Sequence, residues 1–262
     1  MFDALYISAT GMQAQQLNVD TIANNLANVN TAGFKKGKVG FSDLMVREAG
    51  RLLPSQEDAG ILAAENRLGA GVGIAAVSKL FDMGELKKTE SAYDLAIQGE
   101  GFLEVTMPDG SSAYTRGGTF KINKDGLLAT SGGFPLKANV AVPDNAQNLQ
   151  IDGDGRVRVQ VAGQSAPVEV GQLDLVRFTS PSALSPQGDG LYRSSTGSGD
   201  AIAGKASEDG MGSFAQGFLE GSNVKLNEEM VNLMVAQRVY EANVKVMQAS
   251  DEMLGMINGL RK

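Results

Sequence analysis

Apolar residues recur at seven-residue intervals at both ends of this chain, and this spacing limits the folds that it can adopt. A seven-residue interval places side chains along one side of an α-helix. Near the start, the seven-residue spacing is followed by Leu5, Met12, Val19 and Leu26. Ile22 and Val29 each come three positions after the last two of these. Glycine accepts the left-handed conformation at helix ends, so Gly33 favours a helix terminus there. We predict a long amphipathic helix ending near this glycine.

The other side of this predicted helix carries carboxamides in place of charges. Between Ala4 and Phe34 the only side chain charged at neutral pH is Asp20, whereas the outer side of a monomeric helix is usually rich in Lys and Glu. Amides donate and accept hydrogen bonds without the desolvation cost of a charge. We therefore expect this side to contact protein, and three of its amides are candidate contact residues: Asn24, Asn25 and Asn28. An isolated surface helix of unusual composition is the alternative.

A second long helix is predicted at the end of the chain. Its apolar residues follow at steps of four and three, with gaps at Gln237 and Asp251: Leu226, Met230, Leu233, Tyr240, Val244, Met247 and Leu254. Charged residues such as Arg238 and Lys245 surround it, so one side is expected to contact water. Long helices at both ends suggest that residues 1–34 and 222–262 pair as one discontinuous coiled-coil domain. Two helices in separate domains are the alternative.

The middle of the chain has the pattern of antiparallel strands. "FLEVTMPDGSSAYTR" and "TFKINKDGLLAT" alternate around Asp-Gly, which is a strong hairpin signal, and "RVRVQV" and "PVEVGQLDLVRF" also alternate. We predict an antiparallel sheet over roughly 90–180, within a β-rich outer domain of residues 81–221. Residues 35–80 and about 180–212 are glycine-rich and aperiodic, which indicates extended connectors. The expected fold class is α+β.

Composition excludes several classes of function. The chain has 262 residues, of which 42% are hydrophobic, so it can bury a sizeable core. Its net charge of −7 argues against nucleic-acid binding, and it has no apolar run of ~18 residues to insert in a membrane. The opening "MFDALYISATG" resembles no cleaved secretory signal. Without His or Cys, the usual general base and the commonest metal ligands are absent, so no catalytic residue, metal or cofactor is expected.

Two short motifs have simpler explanations than ligand binding. "GAGVGI", from Gly69 to Ile74, lacks the G-x-G-x-x-G spacing of dinucleotide sites. "IDGDGR", from Ile151 to Arg156, resembles the opening of a calcium loop but has no glutamate to close it, so a tight turn is expected.

The opening "YISATGMQAQQLNVDTIANNLANVNTAGFKK" resembles the N-terminal signature of bacterial flagellar rod and hook proteins. "GEGFLEV", "AYTRGGTF" and the closing "QGFLEGSNVKLNEEMVNLMVAQRVYEANVKVMQASDEML" extend the resemblance over most of the chain. Within that family, length and block order are most similar to distal-rod members. Proximal-rod and hook members are the alternatives, and Gly117 stands where an acidic residue is common in the family.

The resemblance implies a self-assembling structural subunit, stacked helically around a central export channel. It implies proximal-rod proteins below, hook protein above, and surrounding periplasmic and outer-membrane rings as further partners. It also implies export without a cleaved leader by the flagellar type III apparatus, to a rod that spans the periplasm. The amides would then bond between copies, so we expect Asn25→Leu or Asn28→Leu to leave the single chain folded and to impair assembly.

Two other classes of protein are kept as alternatives. A surface adhesin or other binding module would explain the strands but not the paired apolar rows at both ends. A hydrolase that uses a Ser/Lys pair would need no His or Cys.

Overall fold

The computed structural model describes residues 2–47, 67–143, 145–161 and 166–260. The chain is α+β, with a long helix near each end and antiparallel strands between them. It divides into two compact units. The first contains Met1–Leu26, Gly37–Ser78 and Leu226–Lys262, and the second contains Ala27–Lys36 and Lys79–Lys225.

Among the described residues of the first unit are the helices α1 (Phe2–Ala27) and α2 (Leu226–Leu260) and the strands β1 (Gly37–Arg47) and β2 (Arg67–Lys79). β1 and β2 pair as a two-stranded sheet. β2 approaches α1 where the Val72 N–H lies 3.4 Å from the Thr10 hydroxyl. Over the described residues, neither helix has an apolar stretch of the length and hydropathy that a membrane crossing needs.

The two helices contact each other and run in opposite directions. The Asn25 amide lies 3.1 Å from the Glu229 carboxylate, and a Cβ atom at Gly11 would lie 3.0 Å from Nδ2 of Asn243. Gly11 comes before Asn25 in α1, whereas its partner Asn243 comes after Glu229, the partner of Asn25, in α2. The two contacts are equally far apart along both helices. This order makes the contact antiparallel.

α1 ends earlier than the sequence predicted. The helix stops at Ala27, and the predicted helix residues Asn28 and Val29 lie in the turn that follows. The Thr31 hydroxyl donates to Oδ1 of Asn28 and the Thr31 N–H to its backbone carbonyl, both at 3.1 Å. Side-chain bonds of this kind compete with helical hydrogen bonds. Gly33 has the expected left-handed conformation, with φ 71°.

The second unit is built from antiparallel strands. Four of its hydrogen-bonded sheets follow the orders β16-β4-β7-β8, β13-β14-β6-β5, β11-β10-β9 and β12-β15, and β17 pairs with β3. The bounds are β3 Leu86–Lys88, β4 Asp94–Gln98, β5 Leu103–Thr106, β6 Ser112–Thr115, β7 Gly117–Ile122, β8 Leu128–Thr130, β9 Ala146–Ile151, β10 Arg156–Val161, β11 Val168–Gln172, β12 Asp174–Arg177, β13 Ser185–Gly188, β14 Leu191–Arg193, β15 Ile202–Lys205, β16 Ser213–Gln216 and β17 Phe218–Glu220.

The locally encoded hairpins form as predicted. β5 pairs with β6 across the Asp109-Gly110 turn, and β7 pairs with β8 across Asp125-Gly126. Both glycines have left-handed backbones, with φ 79° at Gly110 and 75° at Gly126. β10 and β11 also pair, but the loop predicted between them, Ala162-Gly163-Gln164, lies outside the described residues.

Five strands lie where the sequence predicted only connectors. β1 and β2 occupy most of the described part of 35–80, and β13, β14 and β15 lie within 180–212. β14 pairs with β6 and β15 pairs with β12, so the partners are distant in sequence. Local alternation does not report pairing between distant segments, which explains why β15 was missed. β13 and β14 pair with each other as neighbours, so distance does not explain why they were missed.

Two groups of buried side chains form the core of the second unit. The larger is aliphatic and includes Leu95, Ile97, Val105, Val157 and Leu175. The smaller is aromatic, with edge-to-face contacts that join Phe81, Phe102, Tyr114, Phe178 and Tyr192.

Candidate functional site

The predicted contact residues of α1 are divided between its buried and accessible sides. Ile22 is buried, while Leu5, Met12, Val19 and Leu26 are half-buried. The side that faces α2 also includes small and polar residues, of which Ser8 and Asn25 are buried. The predicted apolar row therefore borders the intramolecular contact and remains partly open.

The side chain of Asn25 is buried and hydrogen-bonds within the chain, and its predicted contact with a neighbouring copy stays a prediction. Its Nδ2 donates to the Gly37 carbonyl at 2.9 Å and to Glu229 at 3.1 Å. Its Oδ1 accepts the Gly37 N–H at 2.8 Å. The side chain thus joins α1 to the start of β1 and the first turn of α2. Sequence reasoning missed this role because nothing local indicates that Gly37 returns to the helix.

The other two candidate amides differ from Asn25 in burial. Asn24 is exposed on α1, and Asn28 is half-buried in the turn beyond the helix. The Asn28 side chain accepts the Thr31 hydroxyl described above.

The predicted apolar row of α2 is less buried than expected. Leu226, Met230 and Tyr240 are exposed, and Leu233, Val244, Met247 and Leu254 are half-buried. The buried positions among the described side chains of α2 are instead Glu229, Ala236 and Ser250, which follow at intervals of seven and fourteen residues, with the half-buried Asn243 midway in the longer interval. A search for large apolar residues passes over this row because its members are small or polar.

α2 also carries a second apolar row, which the sequence analysis did not identify. We name it the α2 outer row; all its members are exposed, and they follow at steps of four and three: Val235, Val239, Ala242, Val246, Ala249, Met253 and Met256. Val235 is 56% exposed and Met256 is 63% exposed. A shallow depression beside the row is lined mainly by apolar side chains, including Met234 and Val239. Extended apolar surface is a common feature of sites where a protein contacts another molecule.

The second unit contains a buried ionic cluster that the sequence analysis also missed. Glu220 accepts Lys35 Nζ at 2.7 Å, the Gly84 N–H at 2.9 Å and Arg116 Nε at 3.4 Å. Lys35 is fully buried and donates a further bond to the Asp82 carbonyl at 2.8 Å. Burial lowers the pKa of Lys35, although Glu220 opposes that effect. The three charged residues lie in sequence blocks that carry the family resemblance: Lys35 in "GFKK", Arg116 in "AYTRGGTF" and Glu220 in "QGFLEG". Their place in these blocks is the signal that could have identified the cluster.

Asn223 joins the chain segments next to this cluster. Its Oδ1 accepts the Lys36 N–H at 2.8 Å, and its Nδ2 donates to the Leu80 carbonyl at 2.8 Å. The Gly33 N–H also donates to the Glu220 carbonyl at 2.7 Å. The segment that follows α1, the segment that follows β2 and the segment that precedes α2 are therefore bonded together within the second unit.

Three protein-family models match this chain. They describe a flagella basal body rod protein over residues 5–35, a flagellar hook protein FlgE/F/G D1 domain over 96–159, and the C-terminal part of flagellar basal body rod FlgEFG proteins over 215–260. The first and last of these segments include most of α1 and α2.

Full-length relatives agree with the family models. Flagellar basal-body rod protein FlgG of Borreliella burgdorferi is 43% identical, with all of both chains covered. FlgG of Buchnera aphidicola, from Schizaphis graminum, is 40% identical over 99% of this chain and all of the relative. FlgG of Bacillus subtilis is 34% identical over all of both chains, and FlgF of Caulobacter vibrioides is 33% identical over 98% of this chain and all of the relative. This chain belongs to the FlgG family of flagellar basal-body rod proteins.

Proposed function

We propose that this chain is the structural subunit of the distal rod and assembles helically with copies of itself into a rigid hollow shaft. The shaft transmits torque from the motor to the hook and lies in the basal body, where the rod spans the periplasm. Proximal-rod proteins bind below it and hook protein binds above it. The chain reaches this site through the flagellar type III export apparatus, without a cleaved signal peptide.

The observation that carries this proposal is the α2 outer row. Its seven residues at helical spacing are exposed in the single chain, and fully burying a valine or methionine side chain, of which the row has five, contributes roughly 1.5–3 kcal/mol each. Because this contact is repeated at every copy, the polymer is stable even if the interface of each copy is small.

The domain organisation follows from the same proposal. α1 and α2 pair as a coiled coil, so that residues 1–34 and 222–262 form the core domain, and 81–221 form the β-rich outer domain. The self-assembly surface combines the partly open row of α1 with the exposed positions of α2. Residues 35–80 connect the two domains, with β1 and β2 lying against α1.

The test is electron microscopy of basal bodies from cells in which this chain replaces the resident rod subunit. A small tag is inserted at the Asp109-Gly110 turn, which is exposed and lies in the second unit. We expect tag density around the rod between the proximal rod and the hook. Density confined to the hook or to the proximal rod would assign the chain to a different axial position, and tag found only away from basal bodies would overturn the proposal.

A further inference from the structure

The chain contains six Asp-Gly dipeptides, and each is a place where the main chain can rearrange chemically. They are Asp109-Gly110, Asp125-Gly126, Asp152-Gly153, Asp154-Gly155, Asp189-Gly190 and Asp209-Gly210. All of them lie in the second unit, outside its strands. Glycine has no side chain to shield its nitrogen, so the carboxyl group of the preceding aspartate can reach that nitrogen.

The rearrangement proceeds through a five-membered ring. The glycine nitrogen attacks Cγ of the protonated carboxyl group, and the amide proton and the carboxyl hydroxyl leave together as water. Water then adds to the resulting succinimide and breaks one of its two carbon–nitrogen bonds. Breaking the bond to Cγ restores aspartate, whereas breaking the bond to the main-chain carbonyl carbon gives isoaspartate. Since one water leaves and one enters, the reaction needs no oxidant and no other reactant.

Four of the six dipeptides are restrained by other groups of the fold. Their carboxylates have these partners: Ser111 for Asp109, Asn123 for Asp125, Arg158 for Asp152 and Arg156 for Asp154. Three of their glycines donate the N–H to a main-chain carbonyl: Gly110 to Met107 at 2.9 Å, Gly126 to Asn123 at 3.1 Å and Gly155 to Asp152 at 3.0 Å. The hydrogen bonds from Ser111 also lower the pKa of Asp109, which depletes the protonated form that loses water. These bonds must break before a ring can close.

The other two dipeptides, Asp189-Gly190 and Asp209-Gly210, lack these restraints. Over the residues that the structure describes, neither carboxylate has a hydrogen bond or an ion pair, and neither glycine N–H has an acceptor. All four residues are exposed, so solvent water reaches the site of ring opening. The two reacting groups are therefore free to meet in the folded chain.

We propose that Asp189 and Asp209 are sites of spontaneous isoaspartate formation in the folded chain, and that the fold protects the other four Asp-Gly dipeptides. The inference goes beyond the proposed function and does not depend on it, since the reaction requires only a single folded chain.

Isoaspartate at position 189 disturbs the sheet to which its turn belongs. Asp189-Gly190 is the two-residue connection between β13 and β14, in which Gly188 pairs with Leu191. Both residues of the turn have positive φ, 52° and 71°, as the tightest hairpin connection requires. Isoaspartate adds one carbon atom to the main chain, so the turn no longer fits this geometry. β13 is the edge strand of its sheet, and its pairing with β14 is the part that the change weakens.

The first test follows the reaction at every Asp-Gly dipeptide in heavy-oxygen water. The purified full-length chain is incubated at neutral pH and digested. Each ring opening inserts a solvent oxygen that mass spectrometry locates, and an isoaspartyl methyltransferase labels the isoaspartate form. We expect isoaspartate to form at Asp189 and Asp209 at least about fivefold faster than at the other sites, because a hydrogen bond of ordinary net strength makes its own opening roughly fivefold unfavourable.

The same chain unfolded in urea is the control. Dividing each folded rate by the unfolded rate at the same dipeptide removes the effect of neighbouring residues and leaves the effect of the fold. This ratio should be highest at Asp189 and Asp209. Equal ratios at all the dipeptides would overturn the inference, and so would conversion at Asp189 in the unfolded chain with none in the folded chain.

The second test compares Asp189→Asn with Asp125→Asn, which place asparagine in two hairpin turns of the same unit. Asparagine closes the same ring with loss of ammonia, so its conversion changes the mass of the chain. We expect the variant at position 189 to convert at least about fivefold faster than the variant at 125, where the Gly126 N–H is held by the Asn123 carbonyl. Circular dichroism verifies that both variants are folded. Equal rates in the two folded variants would refute the protection by hydrogen bonds on which the inference rests.

Discussion

At the scale of single residues, the Asn25 side chain joins α1 to the start of β1 and to α2. It bonds both backbone groups of Gly37 and the buried Glu229 carboxylate. Asn25→Leu leaves these groups without partners, and each unsatisfied buried group costs about 1–3 kcal/mol. We expect the free energy of unfolding to fall by roughly 3 kcal/mol in urea titrations, while Gln13→Leu at an exposed position of the same helix changes it by less than about 0.5 kcal/mol. Equal midpoints for the two variants would contradict this role.

The buried cluster around Glu220 predicts a contrast between two lysines. Lys35→Met leaves the Glu220 carboxylate buried with one cation fewer, and removing a partner from a buried ion pair costs about 3–5 kcal/mol. Lys137 is the matched control, because it pairs with Glu104 at 2.8 Å but is 63% exposed. Lys137→Met should cost less than about 1 kcal/mol. Thermal unfolding of the two variants measures the difference, and similar losses would show that the buried cluster does not stabilise the fold.

Tyr192 gives a prediction for alkaline pH. Burial raises the pKa of Tyr192 from 10.0 to about 12. Between these values the unfolded chain loses this proton and the folded chain keeps it, so stability is retained below pH 10 and falls as the pH rises toward 12. The contribution amounts to roughly 2–3 kcal/mol. Tyr192→Phe should therefore lose stability less steeply than the parent over this range of pH in urea titrations, and parallel pH profiles would contradict the assignment.

At the scale of elements, the sequence predicted what neighbouring residues determine and missed what distant residues determine. The Asp109-Gly110 hairpin was predicted because its turn geometry depends on adjacent residues. β15 was missed because its partner β12 is distant in the chain. The buried row of α2 was missed because Ala236 and Ser250 are small, and a search for large apolar residues does not detect them.

For the candidate site, too, the sequence predicted the features set by neighbouring residues and missed those set by distant ones. Heptad spacing identified the two helices that carry it, since that spacing is a property of each helix alone. The partners of Asn25 and the exposure of the α2 outer row depend on how separate elements meet, and no local pattern contains that information.

β2 depends on one glycine for its approach to α1. Gly71 has φ 107°, and a Cβ atom there would lie 2.3 Å from the Thr10 hydroxyl oxygen. Gly71→Ala should therefore destabilise the first unit by about 1–3 kcal/mol through backbone strain and displacement of the strand. Gly69 lies in the same strand with open space at its Cβ position, so Gly69→Ala should change stability by no more than about 1 kcal/mol. Hydrogen exchange of the β2 amides compares the two, and faster exchange in both variants to the same extent would refute the contact.

At the scale of the whole molecule, assembly must bring together copies that repel one another. Each copy has a formal net charge of −7, while the α2 outer row proposed for the contact is apolar. Added salt shortens the range of the repulsion, from about 10 Å at 0.1 M to about 3 Å at 1 M, and leaves apolar contacts intact. Apolar contacts also weaken on cooling.

The concentration at which the purified chain polymerises should therefore fall several-fold as NaCl rises from about 0.1 M to about 1 M, and it should rise on cooling. Sedimentation of the polymer at a series of protein concentrations measures both effects. Gln248→Asp is a useful control, because it adds a negative charge outside the α2 outer row and should steepen the salt dependence without abolishing assembly. If salt instead dissolves the polymer, ionic bonds hold the copies together and the apolar rows are not the main contact.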